Sequence, residues 1–111
     1  MTALAIDVEP HGSTTVLALR GELDLDTAPH LREQLIEVIG EGTRVVVDLE
    51  LVGFLDSVGL GVLVGGLKRA RTHGGDLVLV CSSRAVLKPL EITGLDRVFT
   101  IHATREAALP A

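Results

Sequence analysis

Asp56 and Ser57 stand side by side in the stretch "FLDSVGLGVLVGG", residues 54–66, between two apolar runs of which the second carries four glycines. A carboxylate beside a hydroxyl has four chemical uses here: a nucleophile, a phosphate cradle, a helix cap or a switch. The nucleophile elbow G-x-S-x-G is absent, since Leu55 occupies its first glycine position. His11, His30, His73 and His102 fall in a turn, at a helix start, at a helix end and after a strand, and none has an orienting carboxylate in the pattern. A phosphate loop of the form G-x-x-x-x-G-K-[ST] is broken, because Gly61 and Gly66 are followed by Leu67-Lys68 and no hydroxyl comes next. Gly59-Leu60-Gly61 lacks the third glycine of a dinucleotide fingerprint. No spacing of His, Cys or carboxylates suggests a metal site. The residues therefore predict no catalytic centre, no metal and no cofactor, and leave the cap and the switch.

Asp48 offers a second phosphoryl-accepting arrangement. It ends an apolar strand, and Lys88-Pro89 lies downstream, a faint similarity to receiver domains. The acidic pair such a domain needs after its first strand is missing, however, since Pro10-His11-Gly12 stands there.

Bulk properties remove whole classes of function. The 111 residues make one expected domain, 1–111, long enough to bury a core, and 47% hydrophobic with 23% charged residues describes a globular chain. A net charge of −5 opposes binding to a nucleic-acid backbone, and with Phe54 and Phe99 as the only aromatics there is nothing to stack bases. The single Cys81 excludes an internal disulfide and suits a reducing compartment. No basic-then-apolar leader opens the sequence, and the longest run of apolar residues and glycine, Val58 to Leu67, is about half a membrane span. The expectation is a soluble, cytoplasmic domain without membrane insertion.

The elements that must position Asp56 and Ser57 follow from periodicity. Leu4 to Glu9 alternates apolar and polar residues, Pro10 to Ser13 is turn chemistry, and Thr15 to Arg20 reads as a second strand, which together predict a hairpin. If the chain stays extended beyond it, Glu22, Asp24 and Asp26 point one way and Leu23 and Leu25 the other. Asp26 or Thr27 then caps a helix with Pro29 in its first turn, a stripe of Leu31, Leu35, Val38 and Ile39, and Gly40 at its end. Arg44 to Leu49 is a β-branched buried strand. A helix from Ser57 to His73 has a hydroxyl cap at its start, Lys68, Arg69, Arg71 and His73 near its end, and Gly74-Gly75 as a stop. Leu77 to Val80 is a strand, Ser83 to Thr93 a helix that Pro89 must kink or delay, Arg97 to Ile101 a last strand and Thr104 to Leu109 a short helix. The order β-β-α-β-α-β-α-β-α predicts an α/β fold whose mixed sheet opens with an antiparallel hairpin and continues in parallel.

Three stretches, "RGELDLDTAPHLREQL", "VVVDLELVGFLDSVGLGVLVGGLKRAR" and "ITGLDRVF", closely resemble the anti-sigma-factor antagonists, single-domain members of the STAS family. The resemblance covers nearly the whole chain in order, and its core motif is D-S-x-G-L. It implies helices packed mainly on one face of the mixed sheet. It also implies a protein that binds a serine-kinase anti-sigma factor and so frees a sigma factor, with a serine phosphatase reversing the kinase's modification. By the same resemblance Ser57 is the phosphorylated serine, Asp56 its preceding acid and Asp24 the acid of the G-E-x-D motif. Val58 replaces a frequent Ser or Thr, and Pro89 interrupts a helix that is usually continuous in relatives. A different partner, such as a membrane transport ATPase regulated by a STAS-type subunit, is the alternative.

Elementary physics favours a switch at this place. Phosphate at a helix start meets free backbone N–H groups and the positive end of the dipole, and brings about −1.5 to −2 charges beside Asp56. The expected partner-binding set is Asp24, Asp56, Ser57, Val58, Gly59, Val62 and Gly65. Leu60, Val64 and Leu67 face the sheet in this reading, while Val62 and Gly65-Gly66 form either a smooth exposed surface or part of the core.

Overall fold

The computed structural model describes residues 3–110, and in them one five-stranded sheet has the spatial order β1-β2-β3-β4-β5. β1 (Leu4–His11) and β2 (Thr14–Leu23) form the antiparallel hairpin, closed by the two-residue loop Gly12-Ser13. β3 (Arg44–Leu55), β4 (Asp76–Val80) and β5 (Thr100–His102) each add in parallel. The connecting helices are α1 (Ala28–Val38), α2 (Ser57–Thr72) and α3 (Arg84–Ile92), and a final turn of helix, α4, covers Arg105–Ala108.

Because the parallel strands add in one direction, crossovers of one hand deliver α1, α2 and α3 to the same face of the sheet. There Leu17, Leu19, Val47 and Leu79 meet Leu31 and Leu35 of α1, Leu63 and Leu67 of α2 and Leu90 of α3 in a single core. The opposite face is covered only in part, by Ala108 and Leu109 over Val16, Val46, Val78 and Val80. Arg105 fastens this small cap: its Nε and Nη2 donate to Asp48 Oδ2 at 3.0 and 2.9 Å, and its Nη1 to Glu9 Oε1 at 2.9 Å. The mixed sheet with helices mainly on one face is the expected architecture.

Several boundaries differ from expectation, each for a local reason. β2 continues to Leu23 and β3 to Leu55, well past Arg20 and Leu49. The register between them shifts at Ala18/Arg20 and again at Gly21/Glu22, so Leu49, Val52 and Leu55 are buried three residues apart and the period of two is lost. Gly21 has φ +121°, and a Cβ there would run into the backbone carbonyl of Ala3, to which Glu22 donates its amide at 3.1 Å. Arg97 closes a 3₁₀ turn, Leu95–Arg97, and the last strand begins at Thr100. Pro89 lies inside α3 without delaying its start at Arg84.

The end of α2 follows the expected chemistry. Gly74, at φ +77°, is the left-handed residue of a Schellman motif: Gly75 donates to the Ala70 carbonyl at 2.9 Å and Gly74 to that of Arg71 at 3.1 Å. No helix among the described residues is long and apolar enough to cross a membrane.

Candidate functional site

The site forms where two loops meet, the one from β2 to α1 and the one from β3 to α2. Backbone pairing brings them together first, as Asp56 donates its amide to the Leu23 carbonyl at 3.2 Å. Asp56 has extended φ and ψ of −104° and −179°, and its Oδ1 accepts the Gly59 amide at 2.9 Å. Asp56 is therefore the N-cap of α2. Its Oδ2 accepts the Leu25 amide at 2.9 Å, so one carboxylate ends one loop and holds the other.

This corrects the expected role of Ser57. Ser57 is the first residue inside the helix, exposed, and its hydroxyl takes part in no hydrogen bond among the described residues. The carboxylate one position earlier reaches the third amide of the helix and leaves the hydroxyl without capping work. The amides of Ser57 and Val58 have no acceptor within the helix, as at any helix start.

Asp24 is likewise placed differently from the expected same-side acidic edge. The strand ends at Leu23, and Asp24 turns inward at 8% exposure. Its Oδ1 accepts the amides of Asp26 at 3.0 Å and Thr27 at 3.1 Å, and its carbonyl accepts Ala28 at 2.7 Å. Thr27 Oγ1 accepts the Asp24 amide at 2.9 Å and donates to the Glu22 carbonyl at 2.8 Å, so Thr27 flanks α1 without capping it by its own side chain. Thr27 thus stands at the N-cap position, one of the two expected, and the Asp24 carboxylate holds the turn that leads into it. Asp26 itself is exposed, and Glu22 is half-buried.

Of the other expected partner-binding residues, Val58 is 39% exposed, Gly65 is exposed and Val62 is half-buried. Gly59 and Gly66 are buried and belong to packing. A Cβ on Gly59 would lie 2.7 Å from Leu23 Cγ, and one on Gly66 would lie 2.9 Å from Leu35 Cδ1. Leu60 and Leu67 face the core as expected, joined by Leu63, while Val64 is only half-buried.

Three exposed apolar residues near this corner were missed: Leu25 at 65%, Leu51 at 66% and Phe54 at 49%. Alternation placed Leu25 on the same side as Leu23, which is buried. The polar cluster from Asp24 to Thr27 was the available signal that the strand stops and a turn begins. Leu51 and Phe54 follow the register shift, where alternation no longer reports facing.

Both oxygens of Asp56 are engaged by backbone amides, and no group of three or more His, Cys, Asp or Glu among the described residues is arranged to hold a metal ion. Asp48, the other acceptor considered, is buried at 8% exposure and held by Arg105, while its Oδ1 accepts the Glu50 amide at 3.0 Å. Burial first, then the Glu50 and Asp48 carboxylates, push the Cys81 thiol up from 9.0 to about 11, which keeps it protonated and inert.

Comparisons with known proteins agree over nearly the whole chain. The family model described as STAS domain matches residues 5–108. The anti-sigma-B factor antagonist of Bacillus subtilis (strain 168) is 34% identical over 104 residues, 94% of this chain and 95% of that protein. The crystal structure of an anti-sigma factor antagonist from Mycobacterium paratuberculosis superposes with a TM-score of 0.87 at 32% identity, covering 96% of this chain and 91% of that one. The anti-sigma factor antagonist SpoIIAA in its unphosphorylated form gives 0.80 at 29% identity over 94% and 92% of the two chains. The phosphorylated form of the same Bacillus protein gives 0.72 at 28% identity over 94% and 96%.

Proposed function

This chain belongs to the STAS-domain family of anti-sigma factor antagonists, and from that premise we propose that it binds a serine-kinase anti-sigma factor through the corner around Ser57. Binding frees a sigma factor for transcription in the cytoplasm, and phosphorylation of Ser57 ends it until a serine phosphatase removes the group. The chain is bound and modified in this scheme and catalyses nothing itself.

The observation that carries the reading is the Ser57 hydroxyl, exposed at the first position of α2 and unengaged. A kinase reaches it without unfolding anything, and exposed Val58 and Leu25 give the same partner apolar purchase. Phosphate there is tolerated by the fold, because a helix start favours negative charge. It is not tolerated by an acidic partner surface. One extra unit of like charge about 6 Å away costs roughly 0.7 kcal/mol in water and about 3 kcal/mol at an effective dielectric of 20. A phosphate of nearly two charges then weakens binding by about 1–5 kcal/mol, roughly tenfold to several thousandfold.

The test is incubation with the cognate anti-sigma kinase and ATP, followed by intact mass. One phosphate is expected, and none on Ser57→Ala; modification mapped to Thr27, Ser82 or Ser83 would overturn the reading. Because Ser57 is not the cap, Ser57→Ala and Ser57→Asp should both melt within about 0.5 kcal/mol of wild type. Only Ser57→Asp should bind the kinase poorly. If it binds as wild type does, charge is not the switch.

A further inference from the structure

A groove of about 480 Å³ runs between α1 and α2, starting at Val58, the neighbour of Ser57, and ending at Arg69. Its walls are Ile36 on α1 and Val58 and Val62 on α2, with Gly61 and Gly65 along the floor. Both glycines lie within α2, where glycine is the weakest ordinary helix former. Internal packing does not ask for either of them: a Cβ built at 61 or 65 meets nothing within 4 Å, whereas Gly59 and Gly66 are each tightly faced by core side chains. Side chains at 61 and 65 would fill only the groove.

Charge identifies what the groove accepts. Arg32 lines it from α1 and Arg69 from α2, and neither has an ion-pair partner among the described residues. Elsewhere in this net-acidic chain Arg20 is matched with Asp7, Arg71 with Asp76, Arg84 with Glu91 and Arg105 with Asp48 and Glu9, Arg44 donates to the Ala108 carbonyl at 2.7 Å, and Arg97, in the 3₁₀ turn, lies outside the groove. An apolar trough with two unmatched guanidinium groups complements a segment that is apolar on one side and acidic beside it. The distance from Val58 to Arg69 is about 16 Å along the helix axis, roughly three helical turns, and a floor without side chains lets another helix approach closely.

We infer that this groove docks an acidic amphipathic helix, and, resting on the function proposed above, that the helix belongs to the anti-sigma partner. The position explains how a single modification ejects the partner. Phosphate on Ser57 stands at the mouth of the groove, next to Val58, and repels an occupant that carries the same sign of charge. Arg32 and Arg69 are the residues that select it.

Two stapled helical peptides of about three turns serve as probes, with leucines at i, i+4 and i+7 and either glutamate or lysine elsewhere. Titrated into the 15N-labelled full chain, the glutamate peptide should shift the Gly61 and Gly65 amides. The lysine peptide should bind at least about tenfold more weakly, and the double variant Arg32→Glu, Arg69→Glu should reverse that order. Gly65→Leu should block the glutamate peptide while keeping a cooperative melt. Equal binding of the two peptides, or no shift at Gly61 and Gly65 from either, overturns the inference. So does a dimer in sedimentation that Gly65→Leu dissociates, since a second copy would then be the occupant. With the cognate kinase, the double charge reversal should raise KM for Ser57 phosphorylation about tenfold and spare kcat; an unchanged KM takes the partner out of the groove. Failure of the kinase to modify wild-type Ser57 at all sinks the proposed function and leaves the peptide result standing on its own.

Discussion

The Asp56 carboxylate accepts the Leu25 amide at 2.9 Å across a sequence separation of 31 residues, while its other oxygen holds the Gly59 amide at the same distance. One side chain thus sets the start of α2 and fixes the turn leading into α1. The exposed side chains Leu25, Ser57 and Val58 owe their relative placement to this bond pair. The shape of the corner then depends on a residue whose own oxygens are turned to the backbone.

Asp56→Ala removes both acceptors. The lost cap and the lost inter-loop bond together should cost about 1–3 kcal/mol. Asp56→Asn keeps one acceptor oxygen and should lose less than half as much. Urea midpoints at constant m measure the difference. An Asp56→Ala protein as stable as wild type would show that the two loops are held by the Leu23–Asp56 backbone pairing alone.

The four glycines of α2 should respond differently to substitution by alanine. Gly61→Ala and Gly65→Ala place a methyl in open space and should stabilise by about 0.5–1 kcal/mol each. Gly59→Ala drives a Cβ to 2.8 Å from the Leu23 carbonyl oxygen, backbone that cannot swing away, and should destabilise by about 1–3 kcal/mol. Gly66→Ala meets the flexible ends of Leu35 and Leu77 and should fall between. Thermal melts of the four variants read the order directly, and a destabilised Gly61→Ala or Gly65→Ala would mean that packing, not an open groove, keeps those positions small.

The same glycines show where sequence reasoning reached its limit. The helix itself was legible, since a polar cap, basic residues at the end and Gly74-Gly75 agree on both boundaries. The identity of the cap was off by one, because Asp and Ser are adjacent and both are good caps. Which glycines serve packing was not legible at all: Gly59 and Gly61 stand two apart in sequence yet face Leu23 and solvent respectively. The inward turn of Asp24 was hidden by an alternation that runs on to Asp26 in the sequence, whereas the strand ends at Leu23. Long-range pairing decided the length of β3, through register shifts that break the period of two after Leu49. Local chemistry was read correctly where it is self-contained, and lost where a second loop supplies the reason.

Cys81 gives a prediction that is independent of any partner. It is 2% exposed, and burial with the nearby Glu50 and Asp48 charges raises its thiol from 9.0 to about 11. The folded state therefore keeps a proton that the unfolded chain has released once pH exceeds about 9. Between those values the native state binds more protons than the unfolded state, so stability is fully present below pH 9 and declines as pH rises towards 11. A shift of this size corresponds to a loss of at most about 3 kcal/mol. No tyrosine titrates in that window, and the two lysines, Lys68 and Lys88, are both exposed. Urea unfolding at pH 8, 9, 10 and 11, in about the range where thiols ionise, should show a decline in wild type that Cys81→Ala largely lacks, even though the variant starts from lower stability after losing a buried atom. In parallel, a thiol reagent at pH 8 should react with the unfolded chain and spare the native one. Prompt native-state labelling, or the same alkaline slope in Cys81→Ala as in wild type, would rule out the buried thiol as the titrating group.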